Sequence, residues 1–222
     1  MADSHINHQD ARNYWQGIDA DVNGMLGGFP YVSKVDLQGS KNFLAKLGIG
    51  GRNKKKVERA VDCGAGIGRI TENLLLSVAN TVDIVEPISK FTDKLQGKPG
   101  VGKIHNIGLE EWSPEDEADV KYGLIWNQWC VGHLTDAELV IYLKKCMLAL
   151  QNGGWIIVKE NLSTSEDDIF DEVDSCMTRT DEKFRQLFAD AGLSIKKTEI
   201  QKGFPSQLYP VRAYALQPRK SS

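Results

Sequence analysis

Apolar residues along the chain fall into short continuous runs, separated by segments whose apolar positions recur on a helical period. Short runs indicate buried strands, and apolar positions three or four residues apart indicate helices. The runs predict five strands, at residues 57–63, 81–86, 102–107, 122–131 and 155–160. The periodic segments predict helices at residues 8–17, 36–47, 69–76 and 181–191.

A further predicted helix has clear signals at both ends. Thr135 and Glu138 match a capping box at its start, and Gly153 follows its last apolar residue, Leu150. Strands that alternate with helices predict an α/β fold with a mostly parallel sheet and right-handed crossovers. Residues 193–201 and 211–216 are predicted to pair as an antiparallel hairpin at the sheet edge.

The length and composition fit one domain with a buried core, since the 222 residues are 41% hydrophobic and 26% charged. We expect the core at residues 57–222. A helical extension at residues 1–50 precedes it, and the glycine-rich stretch 23–28 of that extension is expected to form a lid.

Charge and cysteine usage exclude several classes of function. The net charge of −3 predicts no nucleic-acid partner, and the lysine run 54–56 is interpreted as a solvated loop, with a nuclear address as the alternative. The four cysteines form no CxxC pair, so we expect reduced thiols and no metal site. No apolar run approaches the roughly 18 residues of a membrane span. A cytoplasmic protein is expected, with a nuclear location left open.

A glycine-rich turn joins the first predicted strand to its helix. Gly64, Gly66 and Gly68 allow close approach of a ligand to the backbone, and Glu86 ends the second strand, where an acid can bind ribose hydroxyls. The spacing departs from the GxGxxG of dinucleotide-binding loops, and the adjacent Asp62 would repel a diphosphate. S-adenosylmethionine has no phosphate and suits the loop, with Arg69 as a partner for its carboxylate. A tight turn without any ligand is the alternative.

Four segments carry a more specific resemblance: GMLGG (24–28), DCGAGIGR (62–69), QWCVGHL (128–134) and DEVDS (171–175). Together they resemble the protein N-terminal methyltransferases, which methylate the α-amino group of proteins that begin X-Pro-Lys once the initiator Met is removed. The likeness extends from Tyr14 to Tyr209. It implies a class I methyltransferase (Rossmann-like) fold with a seven-stranded sheet, an N-terminal extension and an inserted hairpin.

The resemblance also implies site residues. The cofactor S-adenosylmethionine is expected to contact Trp15, Met25, Gly64, Gly66, Arg69, Glu86, Leu109, Glu110 and Gln128. The substrate and the chemistry are expected to involve Leu26, Gly27, Trp129, His133, Asn161, Asp171, Asp174 and Tyr209. Some relatives have Asp at position 86, which preserves ribose bonding, and some have Gln at position 110, near the adenine.

Methyl transfer to an α-amine requires a base, because such an amine has a pKa of about 8 and is largely protonated at neutral pH. Asp174 and His133 are the two candidates. Asp171 lies three residues from Asp174, so in a helical turn the two carboxylates would share a face, and one could bind the substrate lysine. Local sequence alone favours a solvated loop for the two acids and a packing or capping role for His133.

Trp129 lies at the end of the fourth predicted strand and Asn161 at the end of the fifth. Parallel α/β folds bind ligands at these strand ends. The indole could hold an amine by a cation–π interaction or be a core residue. We expect direct displacement with mono-, di- or trimethylated products, ribosomal proteins among the substrates, and a monomer. A small-molecule methyltransferase, a non-catalytic binding protein and an NAD-linked oxidoreductase are the alternative functions.

Overall fold

The computed structural model describes residues 2–50, 56–113 and 120–219. Seven strands form one sheet in the order β3-β2-β1-β4-β5-β9-β8. The strands of this sheet are β1 (Val57–Cys63), β2 (Ala79–Val85), β3 (Val101–His105), β4 (Tyr122–Gln128), β5 (Leu150–Asn161), β8 (Leu193–Ile200) and β9 (Val211–Pro218). A separate two-stranded hairpin consists of β6 (Ile169–Asp171) and β7 (Cys176–Thr178).

Strands β1 to β5 run parallel, whereas β9 pairs antiparallel with β5 and β8 pairs antiparallel with β9. The predicted hairpin at the sheet edge is thus confirmed, with β8 as the outer strand. Every residue of the central strand β4 is buried, because helices cover both of its faces. The carboxyl ends of β1, β2, β4 and β5 consequently meet along one edge of the sheet.

Helices lie on both faces of the sheet and in the extension. Their bounds are α1 (His8–Gly17), α2 (Val22–Met25), α3 (Val32–Lys46), α4 (Leu76–Val78), α5 (Ser89–Thr92), α6 (Asp136–Ala149) and α7 (Asp181–Asp190). Leu143 of α6 and Phe184 of α7 belong to one core cluster, while Phe43 of α3 and Leu74 belong to a second. The sheet separates these two clusters, which gives the expected three-layer α/β arrangement.

Helix α6 begins as its sequence predicts. The Thr135 hydroxyl accepts a hydrogen bond from the Glu138 amide (3.3 Å), and the Glu138 carboxylate accepts one from the Thr135 amide (2.8 Å). This reciprocal pairing satisfies two backbone donors that the first turn of a helix otherwise leaves free. The helix ends at Ala149, one residue before the predicted Leu150.

Two predicted strand boundaries were wrong, and one predicted helix is irregular, each for an identifiable reason. Strand β4 ends at Gln128 and not at residue 131, because Trp129 adopts a positive φ of 54° that turns the chain away. Strand β5 begins at Leu150, five residues early, since Tyr122 of β4 pairs with Leu150 before a register shift. The helix after the glycine loop contains a π-helical stretch at Thr71–Leu75, so its apolar face departs from the regular period.

The extension contacts the hairpin and helix α6. The Asn7 amide donates to the Ser175 hydroxyl (2.8 Å), and the His8 ring lies 2.8 Å from the Glu138 carboxylate. A short 3₁₀ helix at Ala2–His5 precedes α1, and the His5 ring lies 5.6 Å from the Phe170 ring. The stretch 23–28, which was expected to form a lid, overlaps the single turn α2.

Of the lysine run 54–56, residues 54 and 55 lie outside the described residues, and Lys56 is exposed. Within the described ranges, no helix combines the length and apolar character needed to cross a bilayer.

Leu143 and Ile141 of α6 offer a matched test of the core. Leu143 is fully buried whereas Ile141 is 55% exposed. We expect Leu143→Ala to lower the free energy of unfolding by about 3 kcal/mol through lost burial and a residual cavity. Ile141→Ala should change it by less than about 0.5 kcal/mol. Urea unfolding followed by circular dichroism measures both, and equal losses would contradict the assigned packing of α6.

Candidate functional site

A cavity of about 410 Å³ opens at the carboxyl edge of the sheet, between the extension and the hairpin. Its walls include all but one of the residues predicted for cofactor, substrate and chemistry. Those that line it are Trp15, Met25, Leu26, Gly27, Gly64, Gly66, Arg69, Glu86, Leu109, Glu110, Gln128, Trp129, His133, Asn161, Asp174 and Tyr209. Asp171 is the exception. The structure thus brings together residues that are widely separated along the chain, from Trp15 to Tyr209.

The glycine loop forms the floor of the cavity. Gly64 has a φ of 67°, and a Cβ atom added there would lie 2.3 Å from the Cβ of Cys130. Gly66 has a φ of 54°, and its added Cβ would lie 2.6 Å from the Met25 sulfur. Only glycine fits both the backbone angle and the space at position 64. The loop is therefore shaped for close contact between backbone and ligand.

The Glu86 carboxylate lies directly beneath this loop. One oxygen accepts a hydrogen bond from the Gly66 amide (2.8 Å) and the other accepts one from the Ile88 amide (2.9 Å). Burial raises the pKa of this carboxyl to about 7, although the two amides oppose the shift. Glu86 therefore fixes the loop as well as facing the cavity, where ribose hydroxyls could add to its hydrogen bonds.

Trp129 occupies the point where the chain leaves β4 with a positive φ. The Arg69 guanidinium lies 5.4 Å from the centre of its ring, and the Phe204 ring lies 6.5 Å away. The Trp129 indole nitrogen is buried and has no hydrogen-bond partner among the described residues. A substrate amine that binds Trp129 by a cation–π interaction, as predicted, would therefore compete with Arg69, because this internal cation already contacts the ring.

His133 lies in a short 3₁₀ helix at Val131–His133. Its Nε2 atom accepts a hydrogen bond from the Trp15 indole (3.2 Å), which places the proton of the neutral ring on Nδ1, 3.5 Å from the Ser175 carbonyl oxygen. Burial lowers the pKa of His133, although the nearby Asp174 opposes this shift. The ring is therefore neutral at neutral pH, with its Nε2 lone pair already engaged.

The structure contradicts the predicted helical turn that would carry Asp171 and Asp174. Asp171 ends β6, residues 172–175 form the turn of the hairpin, and Ser175 has a φ of 54°. Asp171 is exposed and its carboxylate accepts a hydrogen bond from the Val173 amide (2.8 Å). Asp174 faces the cavity, and its Oδ1 atom is buried without a partner among the described residues. The two acids thus have different surroundings.

The extension is held over the cavity by charged contacts. Arg12 of α1 pairs with both Glu110 and Glu111, and Lys90 of α5 donates to the carbonyl oxygen of Ile18 (2.7 Å). The Glu110 carboxylate is therefore engaged with the extension. This contact limits how freely it could also bind the adenine for which it was predicted. Met25 and Trp15 reach the cavity from the same segment.

Comparison with known proteins agrees with this geometry. A family model described as AdoMet dependent proline di-methyltransferase matches residues 3–217. The chain belongs to this family.

Two curated relatives and one solved structure show how far the similarity extends. The alpha N-terminal protein methyltransferase 1 of Schizosaccharomyces pombe is 46% identical, over 96% of this chain and 97% of its own. The N-terminal Xaa-Pro-Lys N-methyltransferase 1-A of Xenopus laevis is 44% identical, over 93% of each chain. A SAM-dependent methyltransferase from Leishmania major is 36% identical and superposes with a TM-score of 0.85, over 95% of this chain and 82% of its own.

The predicted class I methyltransferase fold and the cofactor are thereby confirmed: this member of the proline di-methyltransferase family uses S-adenosylmethionine. The residues present fit that ligand. Two glycines leave room at the floor, the Glu86 carboxylate lines the cavity and can accept hydrogen bonds from hydroxyl groups, and Arg69 lies beside the loop. Because the family transfers methyl groups, the alternatives of an NAD-linked oxidoreductase and a non-catalytic binding protein are excluded.

Two buried groups at the family's site were missed by sequence analysis. Glu160 lines the cavity, and its Oε1 atom accepts hydrogen bonds from the amides of Cys130 (2.8 Å) and Val131 (3.0 Å). Burial raises the pKa of Glu160 to about 7. Its position next to Asn161 at the end of a strand was a usable signal. Asp36, the second group, accepts hydrogen bonds from Arg69 (2.8 Å) and Gln128 (2.9 Å) but does not itself line the cavity.

Substitutions at Gly64 and Gly97 separate two effects of adding a side chain: displacement of the glycine loop and strain at a positive φ. Both have a positive φ, near 70°, but a Cβ on Gly97 would meet nothing within 4 Å. Gly64→Ala should weaken binding of S-adenosylhomocysteine, the demethylated product, by more than about tenfold through displacement of the loop and Cys130. Gly97→Ala should cost about 1 kcal/mol of stability and leave binding unchanged.

Isothermal titration calorimetry with S-adenosylhomocysteine measures the two affinities, and thermal denaturation measures the two stabilities. Retention of full affinity in Gly64→Ala would show that the loop does not form the ligand floor.

Proposed function

We propose that this enzyme methylates the α-amino group of proteins that begin X-Pro-Lys after removal of the initiator Met. The observation that carries the proposal is the Asp174 carboxylate. Its Oδ1 atom is buried at the cavity without a hydrogen-bond partner among the described residues. An unpaired buried carboxylate oxygen is unfavourable, so the site is suited to a ligand that brings a cationic donor. A terminal ammonium group is such a donor.

The printed names of the relatives support the sequence preference, since several are N-terminal Xaa-Pro-Lys N-methyltransferases. Proline at the second substrate position lacks an N–H group and has a fixed φ, which suits a pocket that reads shape. Leu26, Leu208 and Tyr209 contribute apolar surface to the wall of the cavity. We assign the lysine at the third position to the exposed carboxylate of Asp171, which lies next to the turn of the hairpin.

We assign the acceptance of the amine proton to Asp174 in preference to His133. The Nε2 atom of His133 already accepts the Trp15 indole hydrogen, so this ring cannot take a proton there without breaking that bond. Asp174 can first bind the ammonium group and then accept its proton. His133 instead orients the site by linking Trp15 to the hairpin carbonyl of Ser175.

S-adenosylmethionine supplies an electrophilic methyl group on a sulfonium sulfur. The protein's part is to align the amine nitrogen with that carbon and sulfur, which is mainly a matter of orientation. Mono-, di- and trimethylated products are all expected, because each methylamine with a remaining hydrogen can lose a proton to Asp174 again. A proline terminus would stop at the dimethyl product.

Ribosomal proteins with X-Pro-Lys termini are the proposed substrates, and the enzyme is proposed to act as a monomer in the cytoplasm, with a nuclear location left open.

Mass spectrometry of two peptides tests the proposed acceptor. After incubation with enzyme and S-adenosylmethionine, a peptide that begins Ser-Pro-Lys should gain the mass of one, two or three methyl groups at its α-amine. A matched peptide that begins Ser-Ala-Lys should gain none, because alanine lacks the fixed φ of proline. Methylation of neither peptide, with turnover of small amines instead, would favour a small-molecule methyltransferase.

Asp174→Asn tests the assigned base. We expect kcat to fall by about 10²–10⁴-fold with unchanged affinity for S-adenosylhomocysteine, since the amide cannot take a proton. Asp171→Asn is the control, because it removes an exposed carboxylate of the same hairpin and should raise KM for the peptide with little effect on kcat. His133→Asn should lower kcat less than Asp174→Asn does. The opposite ranking of these two variants would assign the base to His133.

A further inference from the structure

Lys159 of β5 is a buried cation that the expected chemistry does not use. Its ammonium group donates to the Asp36 carboxylate (2.5 Å), the Ser40 hydroxyl (2.9 Å) and the Gln201 side-chain oxygen (2.8 Å). Lys159 is 1% exposed and does not line the cofactor cavity. A buried lysine is costly unless it is paired, and Lys159 is paired with Asp36.

Asp36 of α3 connects this lysine to the cavity. The carboxylate is fully buried, and besides Lys159 it accepts hydrogen bonds from Arg69 Nη1 (2.8 Å) and Gln128 Nε2 (2.9 and 3.0 Å). Burial alone would raise the pKa of Asp36, but the Lys159 and Arg69 cations bring it below its usual value. Asp36 is therefore ionised, and two of its three side-chain donors line the cavity.

The charges of this cluster are unequal. Lys159 and Arg69 contribute two positive charges and Asp36 contributes one negative charge, so the cluster has one positive charge in excess. If Lys159 were absent, Asp36 would neutralise Arg69 alone. The Arg69 guanidinium would then attract an anion in the cavity much less strongly, because charges interact strongly in a poorly solvated site.

We propose that Lys159 is a positioning residue for the carboxylate end of S-adenosylmethionine. It neutralises Asp36, which leaves the charge of Arg69 to the ligand, and it fixes the carboxylate that orients both Arg69 and Gln128. The inference rests on the proposed contact between Arg69 and the ligand carboxylate. The same bonds join α3 to β5, so the extension and the sheet are held in register at the cofactor cavity.

Two ligands distinguish this role from a general contribution to folding. S-adenosylhomocysteine has the amino-acid carboxylate, whereas 5′-methylthioadenosine has the same adenosine and sulfur without it. Lys159→Met should weaken binding of S-adenosylhomocysteine by about tenfold and change binding of methylthioadenosine by less than about twofold. Calorimetry on the purified, folded variants measures both affinities.

A double variant separates charge from shape. Lys159→Met with Asp36→Asn removes one charge of each sign, so the cluster keeps one excess positive charge and an amide oxygen remains for Arg69 and Gln128. This variant should recover most of the affinity for S-adenosylhomocysteine that Lys159→Met alone loses. If Lys159→Met does not fold, the double variant still tests the inference. If the double variant loses affinity for S-adenosylhomocysteine but not for methylthioadenosine, the charge argument is contradicted.

Arg59→Met is the matched control for loss of a cation from a buried carboxylate. Arg59 donates to the fully buried Asp83 (2.9 Å) and does not line the cavity. It should lower the melting temperature and leave the affinities for both ligands unchanged.

The inference is overturned if Lys159→Met weakens the binding of both ligands equally or weakens the binding of neither. Arg69→Met identifies which step failed. If Arg69→Met loses affinity for S-adenosylhomocysteine selectively and Lys159→Met does not, the Arg69 contact stands and the role of Lys159 is wrong. If Arg69→Met binds both ligands normally, the proposed carboxylate contact fails, and the inference fails with it.

Discussion

Two buried glutamates, each at the end of a strand, hold the backbone of the loop that follows the neighbouring strand. Glu86 follows β2 and accepts a hydrogen bond from Gly66, in the loop after β1. Glu160 lies in β5 and accepts hydrogen bonds from Cys130 and Val131, after β4. Parallel strands end at the same edge, so an acid on one strand can reach the amides of the next. The floor of the cavity depends on these two carboxylates.

The walls of the cavity depend on different contacts. On one side, Asp36 joins α3 to Arg69 and Gln128; on the other, Trp15 joins α1 to His133. The floor therefore belongs to the sheet, while the walls come from the extension and the hairpin. This division corresponds to the two ligands of the reaction. Many α/β folds bind a shared type of cofactor at the ends of their strands, whereas segments added to the fold select the acceptor.

The periodicity of the sequence was sufficient to predict the seven strands of the main sheet and the longer helices, since buried strands and amphipathic helices have strong apolar patterns. The glycine loop and Glu86 were also readable, because a fixed spacing links them. Asp36 and Lys159 were not, since 123 residues separate two charged groups that sit within otherwise ordinary helix and strand patterns. The prediction that Asp171 and Asp174 share a helical turn was wrong, because spacing alone does not distinguish a helical turn from a hairpin.

The extension over the cavity is synthesised before the residues that it contacts. Its partners come much later: Trp15 bonds to a residue 118 positions away, and Asn7 bonds to one 168 positions away. Contacts between such distant residues form late in folding, after the entropy of closing a long loop has been overcome. Completion of the cavity is therefore coupled to completion of the fold, and a nascent chain that lacks the hairpin has no assembled site.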